Sequence, residues 1–354
     1  MTALAIVTVA FFMGLSPGLG NCCSTFYIED SERPVFGKNY DWSVDVGLVI
    51  VNKRGVRKVA LANQAPVTWT SSYGSVTFNQ YGRELPSGGI NEAGLVIELL
   101  WLEETEYPSA DQRPAIGNVQ WIQYQLDRSA TVDEVIASDS KIRIQGGPGA
   151  KIHYLLADRL GNRAAVEFIE GKMVYHKNET MPVSALTNST YEESVKYLKK
   201  HTGFGGQRQP VQSKSSLDRF VSTANKVESV RAEGAGSTVD YAFEILAGVA
   251  QGAFTKWSIV YDMRNAIIYF RTLANGKQRF VDLNALDFTC GSTVGVLDIN
   301  EDLSGDVTDD LVDYTHERNR RLIERAFRST SFLKGLPAEA LDRLSRYPDQ
   351  TMCQ

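Results

Sequence analysis

Two short runs rich in β-branched and aromatic side chains, residues 24–28 and 35–42, flank the polar stretch 29–33. That pattern predicts a β-hairpin. Pro34 opens the return strand, where its missing N–H removes no central ladder bond. A second pair of apolar runs, 48–51 and 56–61, brackets Asn52-Lys53-Arg54-Gly55 and predicts a second hairpin. Residues 67–78 alternate Thr, Ser and aromatics as a strand does. The largely apolar run 95–102 reads as a buried strand. Spacing turns helical over 118–138, with Thr131 a candidate N-cap before Val132 and Val135.

Strand patterning returns at 151–158, 164–169 and 173–176, a meander, and again at 183–188. Helical spacing follows at 191–201, 215–226 and 238–249, with a polar, Gly- and Gln-rich loop at 203–214. Strands 257–262 and 266–271 pair ahead of two amphipathic terminal helices, 317–328 and 337–346. Strands cluster early, helices fill the middle, and strands return late. This order predicts an α+β layered fold; a doubly wound sheet would alternate strand and helix. No linker, repeat or low-complexity stretch divides the chain, so 23–354 are expected to form one domain.

Charge narrows the partners. A net charge of -5 and a pI near 5.6 leave no compensating basic stretch for nucleic acid. Lys199-Lys200 and residues 318–321 are short and read as solvated faces. Residues 1–20 form an apolar run broken by Gly14, Pro17, Gly18 and Gly20, short for a membrane span and similar to a secretion signal, though no Lys or Arg precedes it. A retained anchor or a buried helix is the alternative. We expect residues 1–22 to be removed, and the mature chain to be periplasmic or secreted without stable membrane insertion. Four cysteines are too few for a disulfide scaffold. Cys290 and Cys353 could bridge and pin the C-terminal tail, but two separate thiols are the expectation. Leu19-Gly20-Asn21-Cys22 is a poor lipoprotein box.

The four histidines share no metal-ligand spacing, and no GxGxxG, P-loop or GxSxG motif occurs, so no metal or cofactor is expected. His153 reads as a half-buried strand residue. A cysteine made N-terminal by proteolysis carries its own base: an α-amine of pKa about 7.7–8.0. A nearby Lys38 is expected to lower the thiol pKa. The bland alternative makes Cys23 a small apolar strand residue. Lys38 and Asp41 are three apart, so an ideal strand would put them on opposite faces. Both reach Cys23 only if the strand ends or bulges near Asn39.

These residues resemble the choloylglycine hydrolase family, N-terminal-nucleophile hydrolases that include penicillin V acylases and bile salt hydrolases. Cys23-Ser-Thr-Phe matches the nucleophile strand, which favours Cys23 over Cys22. The segment Phe36-Gly37-Lys38-Asn39-Tyr40-Asp41-Trp42 matches FGRNxD. Ile90-Asn91-Glu92-Ala93-Gly94-Leu95 matches the NExGL turn, read here as turn chemistry. Leu186-Thr187-Asn188-Ser189 matches LTNS, and Ser216-Leu217-Asp218-Arg219-Phe220 matches SxxRF. The resemblance implies a four-layer αββα sandwich and a homotetramer. It also implies roles: Asp41 orienting the Cys23 amine, Asn188 in the oxyanion hole, and Arg219 stabilising charge beside the nucleophile.

Two positions depart from the family. Lys38 stands where arginine is usual, and a point charge cannot reproduce a bidentate fork. Trp101 stands where bile salt hydrolases carry asparagine; its backbone N–H can still complete the oxyanion hole. Trp101 with Trp42 resembles the Gram-negative acylase branch and suggests an aromatic-lined acyl pocket, although both could be ordinary core. The expected activity is hydrolysis of a small acyl-amide, penicillin V or an N-acyl homoserine lactone first and conjugated bile salts second. The competing expectation is a non-catalytic periplasmic binding protein on the same fold.

Overall fold

The computed structural model describes residues 23–30, 33–146, 150–233 and 239–354; the candidate signal segment 1–22, with Cys22, lies outside them. The N-terminal hairpin forms as the pattern requires. Ser24–Ile28 pairs antiparallel with Val35–Asp41, from Ser24 opposite Asn39 to Ile28 opposite Val35. Every residue of both strands is buried, which demands a central place in a sheet. They lie inside a seven-stranded sheet, between Ala185–Leu186 on one side and Thr255–Asp262 on the other. Gly37 is obligatory here: a Cβ would meet the Phe26 ring at 2.3 Å.

The second sheet has nine strands, with Val96–Trp101 between Ile152–Ala157 and Pro86–Asn91. The two sheets share a core in which Phe78 meets Phe270 and Tyr261 edge-on, at ring separations of 5.8 and 6.4 Å. Each such aromatic contributes about 1.5–3 kcal/mol of burial. Helices Ser216–Glu233 and Val239–Gly248 cover the seven-stranded sheet through Phe220, Ala224, Ile245 and Leu246. Helix Asn118–Arg128 covers the nine-stranded one, packing Trp121, Ile122 and Leu126 on Ile97, Tyr154 and Leu156. The result is the αββα sandwich.

Several expectations are corrected. The second hairpin does not exist. Leu48–Asn52, buried throughout, joins the nine-stranded sheet, whereas Val56–Val59, buried only at alternate positions, joins a three-stranded sheet with Thr68–Thr70 and Met352–Cys353. The turn between them crosses from one sheet to another, with Lys53 pointing inward to the Asp287 carbonyl and Ser292. Residues 67–78 are likewise split between these sheets. The helical region 118–138 is two helices, the second capped by Thr131, whose hydroxyl accepts from the Glu134 N–H. Strand 183–188 shortens to Ala185–Leu186. Cys290 and Cys353 are disulfide-bonded, not separate thiols, because pairing of Met352–Cys353 with Val56 and Arg57 brings the tail to Cys290.

The C-terminal helices, His316–Ser329 and Ala338–Arg346, pack together through Ile323, Phe327 and Leu341. Thr315 caps the first by accepting from the Arg318 N–H.

Candidate active site

Cys23 leads into the first strand and is 4% exposed. Its carbonyl oxygen accepts from Arg219 Nη1 at 2.6 Å, and the Ser24 hydroxyl lies 2.5 Å from the same nitrogen. Arg219 is itself buried, held in the first turn of the Ser216–Glu233 helix. Its other nitrogen, Nη2, donates to Asn188 Oδ1 at 2.9 Å. One guanidinium fork thus ties the Cys23 backbone to the LTNS asparagine.

Asn188 is fixed on its other sides as well. Its side-chain amide donates to the Trp101 carbonyl at 2.8 Å, and its backbone N–H donates to the Ser216 hydroxyl at 2.8 Å. The second hydrogen of that amide is the one left for a ligand. Residues from the start, middle and end of the first 220 positions therefore meet in one chain of bonds.

Asp41 lies past the last rung of the hairpin, which ends at Ser24 opposite Asn39. The pairing with the first strand does end at Asn39, as the parity of Lys38 and Asp41 required; in the neighbouring Thr255–Asp262 the register slips between Thr255 and Trp257, opposite Asp41 and Tyr40. The extra residue is a β-bulge that aims Thr255 at the carboxylate. The Thr255 hydroxyl donates to Asp41 Oδ1. Asp41 Oδ2 is buried and has no hydrogen-bond partner among the described residues. The Cys23 thiol lies 3.9 Å from the Asp41 carbonyl oxygen.

Lys38 is fully buried; its ammonium donates to the Leu99 carbonyl and stands 3.9 Å from Glu98 Oε2. Tyr261 donates its hydroxyl to Glu98 Oε1 at 2.5 Å. Burial pushes the Glu98 carboxyl up to about 7 against the opposing pull of Lys38 and Tyr261. Burial also pushes Asp41 up to about 6, while the Thr255 hydrogen bond, Arg219 and Lys38 pull it down.

The Cys23 thiol corrects an expectation. Burial raises its pKa, and although Lys38 pulls downward as anticipated, desolvation wins. The buried thiol holds its proton until a base takes it.

The sulfur faces a largely apolar cavity of about 250 Å³. Trp42 and Trp101, both half-buried, line it with ring centroids 6.1 Å apart. All seven sequence-derived site residues fall in one region: Cys23, Lys38, Asp41, Asn188, Arg219, Trp101 and Trp42. His153 is not half-buried but fully buried, with Nδ1 on Glu167 and Nε2 on the Thr187 carbonyl. It braces the strand that leads to Asn188. Asn91 is a turn residue as read: it accepts from the Leu95 N–H and donates to the Leu126 and Ser129 carbonyls.

Sequence reasoning passed over four contributors. Ser24 and Ser216 stood inside the quoted motifs, so their signal was available. Thr255 had none, because a bulge opposite Asp41 is invisible until strands pair across 214 residues. Glu98 lay unremarked inside the apolar run 95–102; a carboxylate within an expected buried strand was the available signal.

The assembly offers a proton-bearing thiol, a buried unpartnered carboxyl oxygen on the neighbouring Asp41, an amide donor and an apolar cavity. That set suits attack on a carbonyl whose acyl group is apolar. A penicillin V acylase of Pectobacterium atrosepticum is 27% identical over 347 residues, covering 86% of this chain and 92% of that protein. The structure of penicillin V acylase from Agrobacterium tumefaciens superposes with a TM-score of 0.72 at 27% identity, covering 83% of this chain and 98% of that one. A point variant of conjugated bile acid hydrolase from Clostridium perfringens shares the fold, with a TM-score of 0.69 at 19% identity over 80% of this chain and 98% of that one. Residues 22–302 match the family model itself, and the chain belongs to the linear amide C–N hydrolases of the choloylglycine hydrolase family.

Proposed function

We propose that the chain is matured by loss of residues 1–22 and hydrolyses a linear amide with the N-terminal Cys23 as nucleophile. The observation that carries this reading is the open Asp41 oxygen, buried and unpartnered beside Cys23. A buried carboxylate oxygen without a donor costs about 1–3 kcal/mol. A Cys23 ammonium or amine N–H would fill it, which gives the vacancy a purpose.

In the reaction, the α-amine takes the thiol proton as sulfur attacks the carbonyl carbon. The carbonyl oxygen gathers the negative charge, met by the free Asn188 amide hydrogen and the Trp101 backbone N–H. The ammonium returns a proton to the leaving nitrogen as the C–N bond breaks, leaving a thioester. Water, deprotonated by the same amine, then releases the acid and restores the thiol. Arg219 holds the Cys23 carbonyl so that sulfur and amine keep their relative positions. Asp41 orients the amine, and Lys38 favours the developing thiolate.

The acyl group rests on Trp42 and Trp101. This favours the phenoxyacetyl group of penicillin V, or the chain of an N-acyl homoserine lactone, over the steroid of a conjugated bile salt. The Cys290–Cys353 disulfide fits an oxidising compartment, so we place the enzyme in a periplasm or outside the cell.

Cys23→Ala should lower turnover of penicillin V by roughly 10⁴-fold or more, leaving the fold intact by circular dichroism. Intact mass, with and without iodoacetamide, checks maturation independently. A chain that starts at Cys23 and takes one alkyl group there supports the mechanism. Full activity in Cys23→Ala sinks it, and an unreactive Cys23 in a matured, inert protein would favour the binding-protein reading.

A further inference from the structure

The family match ends at residue 302, yet three residues well beyond it, Phe327, Phe332 and Leu333, line the cavity that Cys23 faces. Phe327 is buried where the first terminal helix meets the second. Phe332 follows in the joining segment. Its ring lies 6.4 Å from both the Trp42 and Trp101 rings, yet it is 40% exposed. A ring that lines the cavity and also meets solvent sits at its mouth. The three aromatics form a triangle, with two corners from the catalytic sheets and one from the C-terminal segment.

That segment is hung from the site by a chain of hydrogen bonds. Trp42 Nε1 donates to the Tyr81 hydroxyl at 2.7 Å, and the Tyr81 hydroxyl lies 2.8 Å from Thr330 Oγ1. Thr330 in turn donates to the Ala326 carbonyl at 2.8 Å, closing the end of the helix that carries Phe327. Tyr81 also packs edge-on against Phe327 at 5.4 Å. The Trp42 indole that lines the cavity therefore shares a bonded path with the residue two positions before Phe332.

We propose that this C-terminal segment, with Phe332 as its contact residue, is the specificity wall of the enzyme and sets the length and bulk of the acyl group accepted. The inference rests on the amidase reading above and deepens it by naming the part of the chain that limits the acyl group. A flat or slender acyl group can slide between the Trp42 and Trp101 faces and cover the exposed side of Phe332. A rigid polycyclic acyl group would have to displace that ring. Catalytic chemistry and acyl selection thus come from different stretches of the chain. Relatives could keep the first while altering the second.

The test uses the mature full chain and a series of amides of one amine, with butanoyl, octanoyl, dodecanoyl and phenoxyacetyl groups. Phe332→Ala should raise the dodecanoyl to phenoxyacetyl ratio of kcat/KM by about tenfold, the scale of removing apolar contact from a pocket. Phe332→Tyr, which keeps the ring, should return the ratio to within about twofold of wild type. Thr330→Val cuts the hydrogen-bond chain while leaving Phe332 intact, and should move the ratio in the same direction by a smaller factor. Binding of the free acids, followed by tryptophan fluorescence, should show the same reordering without any turnover. Unchanged ratios and unchanged acid binding in Phe332→Ala would overturn the wall. A wild-type enzyme inert to all four amides would instead count against the amidase reading, and acid binding would still decide the wall.

Discussion

Lys38 and Lys58 are the two most deeply buried lysines among the described residues, and they are treated differently. Lys58, in Val56–Val59, has Glu84 at 2.6 Å and Asp127 at 2.9 Å. Asp127 is further held by Trp69 Nε1 at 2.7 Å and by Gln123 at 2.9 Å. Burial alone would depress the Lys58 pKa, but Asp127 and Glu84 outweigh it and the pKa is raised. Lys38 has one carbonyl as its bonded partner and one carboxylate at 3.9 Å. Close pairing at Lys58 spends the charge on holding three elements together: the small sheet, the turn at residue 84 and the helix Asn118–Arg128. Loose pairing at Lys38 leaves field to act on Cys23. A buried charge that is fully paired is structural; one left partly unpaired beside a nucleophile is available for chemistry.

The comparison breaks most easily at Lys58. Lys58→Met should destabilise the protein by about 3–5 kcal/mol, because Asp127 is left buried without its cation and Glu84 keeps only Arg83, at 3.7 Å. Urea denaturation measures this, and active-site titration should show unchanged turnover per folded molecule. A stable Lys58→Met variant with poor kinetics would erase the distinction. Lys38→Met should do the reverse, lowering kcat/KM on the order of 10²-fold, the scale of losing one preorganised electrostatic partner. Its stability loss should be the smaller of the two, since Glu98 can take up a proton near neutral pH. Kinetics and denaturation on the same samples decide between them.

Legibility in the sequence followed the same division. The hairpin, the motif residues and the terminal helices were readable because each depends on near neighbours in sequence, the hairpin's widest rung joining Ser24 to Asn39. The supposed second hairpin failed for the opposite reason. Asn52-Lys53-Arg54-Gly55 is a turn, but no local pattern says whether a turn returns to the same sheet or crosses to another. Burial decided it: Leu48–Asn52 is covered on both faces and Val56–Val59 on one. Thr255 opposite Asp41, Glu98 behind Lys38 and Phe332 against the two tryptophans all depend on long-range pairing. Lys38 was legible as a charge near Cys23, but whether burial or the cation would win at the thiol was not, because burial is a property of the whole fold.

The subtlest way to sharpen the contrast is through pH. Asp41 and Glu98 have carboxyls raised by burial, to about 6 and about 7, above their ordinary values of 3.8 and 4.5. The folded state therefore binds more protons than the unfolded state between roughly pH 4 and 7. The stability they contribute is fully present below their unfolded values and is lost as pH rises through the folded ones. The proposed mechanism asks for the other form of Asp41, since only the carboxylate can accept from a Cys23 ammonium. The enzyme should thus gain kcat/KM and lose stability over the same interval, from about pH 5 to 7. Ionised Glu98 also offsets Lys38, so the gain should flatten above about pH 7. Glu98→Gln keeps a hydrogen-bonding group for Tyr261 but cannot ionise. It should straighten the upper part of the pH–rate profile by a factor of a few and reduce the fall of the urea midpoint between pH 4.5 and 7. An unaltered profile in Glu98→Gln would mean that Lys38 is as fully compensated as Lys58, and that the difference between the two lysines is one of geometry without consequence for the reaction.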